Sequence, residues 1–555
     1  MQELLVLTDE KEERADVTCA ARDRIAKNRA VFECLVRSAE EFAAKGNGAA
    51  AVAYAGIAAS FAMWNHTGTW RSDRLEQILS SVGVKIAGET SSEVAFRRSV
   101  SPKKVLHVLT QAYSVGGHTR FVWRWIQKDF RRTHSIALTR QGTKDVPEQL
   151  LAAAQASGGE VYFVDRAFGG ILAWASCLRK LALTFDQIVL HMHPCDVVPV
   201  VALAQKKDLP PVMYMNHIDN VFWLGTGTAD VVAHIRDSGV EVSRKLRGIE
   251  GHRCLILPIP VDNFERKLSR AEAKRQLGIP NGSVVLLSIA VEYKFEPILA
   301  EPSFTEILIP VLDKYRKAML MVVGPEPRGH WEQGIRKFPE RFKVLGPRTD
   351  TAVLYQAADV YLDSFPVSSL TSLLEAGAYT VPLLTLSFAF DRARILCADC
   401  PGFADTLVRK TDIESYQAEI GRLVENPEIR SGIGEETKKG IFAAHSENWM
   451  EHVERAYYQA ATVSRPTRLG ESAENFGNDF LDLRLSCIYD HPKTHHPVEE
   501  IIHSEVGALP FPQRMSLWSG RFNHRPQLLS HFFFSEWARN NARKWVSKWV
   551  GNTSS

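Results

Sequence analysis

Three short stretches bring together residue types suited to holding an anion. Gly116-Gly117-His118-Thr119-Arg120 joins a β-rich run to a helical pattern. Its paired glycines let the backbone approach a ligand closely, and the helix that follows offers free N–H groups to negative charge. His118 adds a side chain that titrates near neutral pH. In Leu370-Thr371-Ser372-Leu373-Leu374-Glu375 an extended segment opens into a helix whose first turn carries two hydroxyls, a setting for a diphosphate. Glu375 lies one turn beyond Thr371 on the same face, where a carboxylate can accept hydrogen bonds from ribose hydroxyls. Tyr293-Lys294-Phe295-Glu296-Pro297 follows another β-rich run and sets a lysine where phosphate would lie. Each stretch also has an ordinary reading: a tight turn with a surface histidine, a Ser/Thr helix cap, a solvated loop lysine.

Two further stretches follow strands of the first half. His191-Met192-His193-Pro194-Cys195-Asp196 would line a cleft or bind an acceptor through His191 and His193. Asn216-His217-Ile218-Asp219-Asn220-Val221-Phe222-Trp223 ends in an aromatic pair. Asn216 and Trp223 suit a sugar, whose hydroxyls take hydrogen bonds and whose C–H faces stack on rings. His118, His217 and Asp219 are candidates for a base that removes an acceptor proton. No metal site is expected. The His191–Asp196 group, the CxxC pair Cys397 and Cys400, and the late cluster Asp490, His491, His495, His496 and His503 all lack a recognised ligand spacing.

These residues need a scaffold, and the chain is long enough to provide one. Its 555 residues allow three to four domains at roughly 150 residues each. Hydrophobic residues at 45% and charged residues at 24% exclude a disordered, collagen-like or coiled-coil chain. A net charge of +3 gives no electrostatic argument for nucleic acid. Residues 1–100 read as a helical domain; within them the Ala-rich stretch from Ala49 to Met63 is too short to span a membrane and reads as a buried helix. From residue 101, short strands alternate with helices: 105–109, 135–138, 161–164, 187–191 and 212–215, then 284–289, 318–323, 342–345, 360–362 and 382–385. That alternation predicts an α/β fold of two Rossmann-like, doubly wound domains, 101–262 and 263–464, facing a cleft. Residues 465–555 read as a C-terminal extension. Its last segment, Leu528 to Val550, carries Phe534, Trp537, Trp545 and Trp549 near one helical face with several Arg and Lys. It is expected to pack across the domains or to lie on a membrane surface as a peripheral contact. The N-terminus lacks the basic stretch of a secretory signal, so the expected location is the cytoplasm.

The second α/β half resembles the nucleotide-binding half of GT-B glycosyltransferases, and its pattern is most similar to the O-linked N-acetylglucosamine transferases and their bacterial relatives. The resemblance rests on Tyr293–Pro297 and on Ala358-Asp359-Val360-Tyr361-Leu362-Asp363 followed by Leu370-Thr371-Ser372 and Glu375. It implies that Lys294 binds the donor diphosphate, that Thr371, Ser372 and the Leu373 amide hold it, and that Glu375 holds the ribose. Gly116, Gly117 and Arg120 are similar to the glycine loop of many GT-B enzymes. The implied activity is a metal-independent hexosyltransferase with no cofactor. The donor would be a UDP-sugar such as UDP-N-acetylglucosamine, and the acceptor a protein, glycan or lipid. A UDP-sugar epimerase or hydrolase and a non-catalytic sugar-nucleotide scaffold are the alternatives. Two positions depart from the pattern: Val367 stands where many retaining relatives have a first acid, and Leu370 where a basic or amide residue is usual.

Overall fold

Runs of Val, Leu, Ile and Met that are apolar on both sides form parallel strands, since a sheet covered by helices on both faces buries every side chain. The computed structural model describes residues 2–90, 98–114, 116–262, 266–388, 392–465, 480–491, 496 and 498–519. The first sheet contains β1 (Lys104–Leu109), β2 (Thr133–Leu138), β3 (Val161–Phe163), β4 (Gln187–His191), β5 (Val212–Asn216), β6 (Val231–His234) and β7 (Cys254–Ile256). All pairings are parallel, in the order β3-β2-β1-β4-β5-β6-β7. The second contains β8 (Val284–Ile289), β9 (Ala318–Val323), β10 (Phe342–Val344), β11 (Val360–Leu362), β12 (Leu383–Leu386) and β13 (Leu407–Lys410), in the order β10-β9-β8-β11-β12-β13. This is the doubly wound pair expected from the alternation of strands and helices. In each sheet the strand order reverses beside one strand, β1 or β8. Ligands bind outside the carboxyl ends of strands at such a switch point. The loops leaving β1 and β8 are those that carry Gly116–Gly117 and Lys294. Strands β6, β7 and β13 were not anticipated. They are three or four residues long.

The N-terminal helices are α1 (Gln2–Ala44), α2 (Gly48–Trp64) and α3 (Asp73–Thr90). Asn47 caps α2 by accepting from the Ala50 N–H. The Ala-rich stretch is buried along its length, as expected of a helix in a core. These helices do not close a core of their own. Phe32, Val36, Ile57 and Leu79 belong to one apolar cluster with Leu106, Ile188 and Leu190 of the first sheet. Gly83 of α3 lies so close to the helix Val197–Ala202 that an added Cβ would sit 2.3 Å from the Val201 carbonyl oxygen. The N-terminal helices pack as a helical layer on the first α/β unit. A second cluster joins the two sheets: α4 (Gly117–Lys128) and the helix Trp449–Thr462 contribute Phe121, Trp125, Trp449 and Tyr457 alongside Leu287, Met321 and Leu373. Trp449 clamps the interdomain segment by donating its indole N–H to the Pro258 carbonyl at 2.7 Å. Among the described residues no helix is long and apolar enough to cross a membrane. The segment Leu528–Val550 lies outside the described residues.

Candidate functional site

A cleft of about 460 Å³ opens between the two sheets, lined by Gly116, Gly117 and Arg120 on one side and by Lys294, Thr371, Ser372 and Glu375 on the other. A short turn, Glu292–Phe295, sets the lysine in place after β8. The fully buried Phe295 anchors it against Phe304 and Trp331. Lys294 Nζ donates to the Ser368 carbonyl at 2.9 Å. Burial pushes the amine down to about 8, opposed by the nearby Asp363 carboxylate. Asp363 directly follows β11 and is buried, which raises its carboxyl, while it accepts the Ser369 N–H and the Thr385 hydroxyl, each at 3.0 Å. These bonds fix the residue that begins the helix Leu370–Ala378.

That helix leaves the N–H groups of its first turn without intrahelical partners. Thr371 is exposed and Ser372 half-buried at its mouth. Leu373 departs from expectation. Its side chain is fully buried and its N–H donates to the Ser369 carbonyl at 3.0 Å. As the fourth helical residue it completes the first intrahelical bond, so its amide is not open to a ligand. The open donors are the three residues just before it, Leu370, Thr371 and Ser372. Glu375 faces the cleft and pairs across it with Arg120. Arg124 and Arg348 also line the space, so cations outnumber carboxylates there. Arg348, in the loop after β10, was not singled out in the sequence.

The histidines converge beside this cleft but not as a simple cluster of bases. His118 Nε2 donates to the His191 carbonyl at 2.7 Å, and burial lowers its pKa. Its ring lies 4.7 Å from His217. The Phe121 ring, which lines the cleft, lies 4.9 Å from His217. His217 Nε2 meets His191 Nδ1 at 2.8 Å. His191 Nε2 meets His107 Nδ1 at 2.9 Å. His107 Nε2 meets His134 Nδ1 at 2.9 Å. His134 Nε2 reaches the Asp129 carbonyl at 3.1 Å and its carboxylate at 3.4 Å. Neither His107 nor His134 was singled out in the sequence, since each sits alone in a different strand.

Several sequence candidates fall elsewhere. His191 is fully buried inside this row and does not line the cleft. Asp219 is buried and gripped by Arg236 Nε and Nη2, at 2.6 and 2.7 Å. A carboxylate held in that way by two charge-assisted bonds is a structural anchor. Trp223 is fully buried, stacked on Tyr214 at 4.5 Å beneath the Arg247 guanidinium, so it offers no sugar platform. Asn216 is buried against His234 at 3.2 Å. His193 stacks on Tyr113 and lines a separate pocket with Arg140, Cys195 and Glu505. Among the described residues no group of His, Cys, Asp and Glu could hold a metal. Cys397 and Cys400 are buried, which raises both thiols. Asp490 pairs with Arg24, and His496 packs on Trp64. His495 lies outside the described residues, as does the His503 side chain.

No family model and no curated protein matches the chain. Among solved structures it is similar to HepE of Anabaena in complex with UDP and glucose, at 16% identity and a TM-score of 0.48, covering 64% of this chain and 98% of that one. It is also similar to a glycosyltransferase from Rickettsia africae, at 12% identity and a TM-score of 0.49, covering 65% of this chain and 100% of that one. A third is an O-GlcNAc transferase of Thermobaculum terrenum, at 14% identity and a TM-score of 0.44, covering 79% of this chain and 85% of that one. At such identities no residue role passes from these proteins to this chain.

Proposed function

We propose that the protein is a glycosyltransferase that moves a sugar from a nucleoside-diphosphate sugar to an acceptor hydroxyl in the cleft between its two sheets. The observation that carries this reading is the convergence on one cleft of a desolvated lysine, a helix N-terminus bearing two hydroxyls, and a carboxylate one turn further along that helix. Among the described residues Lys294 has no carboxylate within ion-pair distance, so an anion would complete its environment. The helix dipole and Lys294 would stabilise the charge that develops on the departing diphosphate. Glu375 would take the ribose hydroxyls once Arg120 yields it. A UDP-sugar such as UDP-N-acetylglucosamine is the donor that the sequence resemblance favours. The acceptor is a protein, glycan or lipid that approaches from the His118 and His217 side.

Calorimetric titration with UDP, GDP, CDP and ADP tests the reading. UDP is expected to bind selectively. Lys294→Ala is expected to weaken it about 10- to 100-fold, the worth of one hydrogen bond to a charged group. A folded Lys294→Ala variant that binds UDP as tightly as the parent would refute the donor site.

A further inference from the structure

The four histidines that end at His217 lie on one face of the first sheet in a diagonal. Strand register places His134 beside Val105, two residues before His107 on β1. His107 stands beside Val189, two residues before His191 on β4. His191 is one step beyond the Leu190–Tyr214 pair, which puts it level with Met215, two residues before His217. A stagger of two residues keeps all four rings on the same face, because side chains alternate with period two. The row therefore crosses three interstrand gaps obliquely, with successive ring centroids 5.1 to 5.2 Å apart. It runs from the start of β2, at the edge of the sheet remote from the cleft, to the end of β5 beside it.

Both ring nitrogens of His134, His107 and His191 are used, at 2.8 to 3.1 Å. A shared metal is excluded by geometry: two imidazole nitrogens bound tetrahedrally at about 2.0–2.1 Å would stand well over 3 Å apart. These contacts are hydrogen bonds, and each needs one N–H and one lone pair. The remote end fixes the direction. Both Asp129 oxygens facing His134 Nε2 are acceptors, so that nitrogen carries the hydrogen. His134 Nδ1 must then accept from His107 Nε2–H, His107 Nδ1 from His191 Nε2–H, and His191 Nδ1 from His217 Nε2–H. The one lone pair left over is His217 Nδ1, beside the cleft. Phe121 and Trp125 of α4 wall the row against water. The charged and titratable groups that face it are Asp129, Arg132, Glu454 and Tyr457 at the remote end and His118 at the cleft end. Burial keeps His107, His191 and His217 neutral.

We propose that His217, His191, His107 and His134 form a proton relay that makes His217 Nδ1 the base for the acceptor hydroxyl and delivers the positive charge to His134 beside the Asp129 carboxylate. This step rests on the sugar-transfer reading. As the acceptor oxygen bonds to the anomeric carbon, the bond from that carbon to the donor phosphate breaks and its electron pair leaves with the diphosphate. The hydroxyl proton goes to His217 Nδ1. The Nε2 protons of His217, His191 and His107 each move one ring along, and His134 becomes an imidazolium. The Asp129 carboxylate, which Arg132 also holds, compensates that charge. The shift reverses once product leaves, and the proton departs to solvent from His217 Nδ1. The role of Asp129 follows the triad logic in which a buried aspartate fixes an imidazole tautomer and its cation, here extended through three more rings.

Imidazole ¹⁵N NMR on the intact protein, assigned with single His→Gln variants, tests the row without any substrate. Near neutral pH all four rings are expected as Nε2–H tautomers. On acidification His134 should become an imidazolium while His107, His191 and His217 switch together to Nδ1–H. An Nδ1–H form of His217 at neutral pH, or acid charging of His217 while the other three stay unchanged, would overturn the proposal. Kinetics give the second readout. His107→Gln keeps a donor and an acceptor at the spacing of the ring nitrogens but cannot pass a proton. It should lower kcat about 100-fold, the order of a general-base contribution, with the donor KM unchanged. His107→Phe should do the same, and failure of that variant to fold leaves the Gln variant and the NMR of the parent to decide. An unaltered kcat and pH profile in His107→Gln would reject the relay. If no UDP-sugar is turned over at all, the sugar-transfer reading fails, while the concerted tautomer switch still decides whether the row conducts.

Discussion

Lys294 shows how a single burial turns a common surface residue into a specific one. In water its ammonium would compete for phosphate with a full hydration shell. Here burial has removed part of that shell and pushed its pKa down to about 8, so the charge is costly until an anion arrives. The sign of the pH dependence follows. Below pH 8 the amine is protonated and UDP affinity should be level. As pH rises through 8 the free protein loses the charge, and the dissociation constant should increase toward tenfold per pH unit. Calorimetry from pH 6.5 to 9.5 checks this, and a flat profile would place the phosphates elsewhere. Glu375 differs because it already has a partner, Arg120, across a solvent-accessible cleft. Partly exposed pairs contribute under about 1 kcal/mol, so Glu375→Ala should move the melting temperature by no more than about 2 °C. It should still weaken UDP about tenfold and leave binding of a 2′,3′-dideoxy analogue unchanged, since that ligand lacks the hydroxyls Glu375 would hold.

At the scale of elements the site is made where two helix starts meet. An added Cβ on Gly117 would stand 3.0 Å from Thr371 Cγ2, so the glycine is what lets the start of α4 approach the start of the helix Leu370–Ala378. Gly117→Val should push its side chain over the Thr371 and Ser372 donors. UDP affinity should fall more than tenfold, while far-UV circular dichroism and the melting temperature stay near the parent values; a variant with unaltered affinity would show that the phosphates do not reach this helix. This meeting point was legible in the sequence because its ingredients are local: glycines after a strand, hydroxyls opening a helix, an acid one turn on. Strands β6, β7 and β13 escaped the sequence reading, whereas β3, β10 and β11, equally short, were read. Asp219 and Trp223 were misread. Their partners Arg236, Tyr214 and Arg247 come from neighbouring strands and loops, and only sheet register reveals that the loop after β5 turns inward. The histidine row is likewise a property of register, since its members are scattered from position 107 to 217.

The whole molecule carries a consequence of burying so many imidazoles. His107 and His191 are fully buried with pKa values pushed well below the ordinary range, and His234, 1% exposed, is lowered by burial to about 3. In the unfolded chain the same groups titrate near 6.5. Between those values the unfolded state binds more protons than the folded one, so stability rises with pH across the window and is lost as pH falls below about 6.5. Each group contributes about 1.4 kcal/mol per pH unit, so the three together remove about 4 kcal/mol between pH 7.5 and 5.5. Most carboxylates stay ionised over that range and do not obscure the effect. The loss should also spread through the molecule. Trp125 and Phe121, which pack on the row, share a cluster with Trp449 and with Leu287 and Met321 of the second sheet. Opening the row to water, which lets its imidazoles take up protons, should therefore loosen the joint between the two α/β units along with the first sheet. Urea unfolding followed by tryptophan fluorescence should show midpoints that fall steeply from pH 6.5 to 5.5 and rise only modestly from 7.5 to 8.5, where Lys294 loses its proton. A midpoint level down to pH 5.5 would mean that these imidazoles are hydrated in solution, and it would remove the dry path that a proton relay needs.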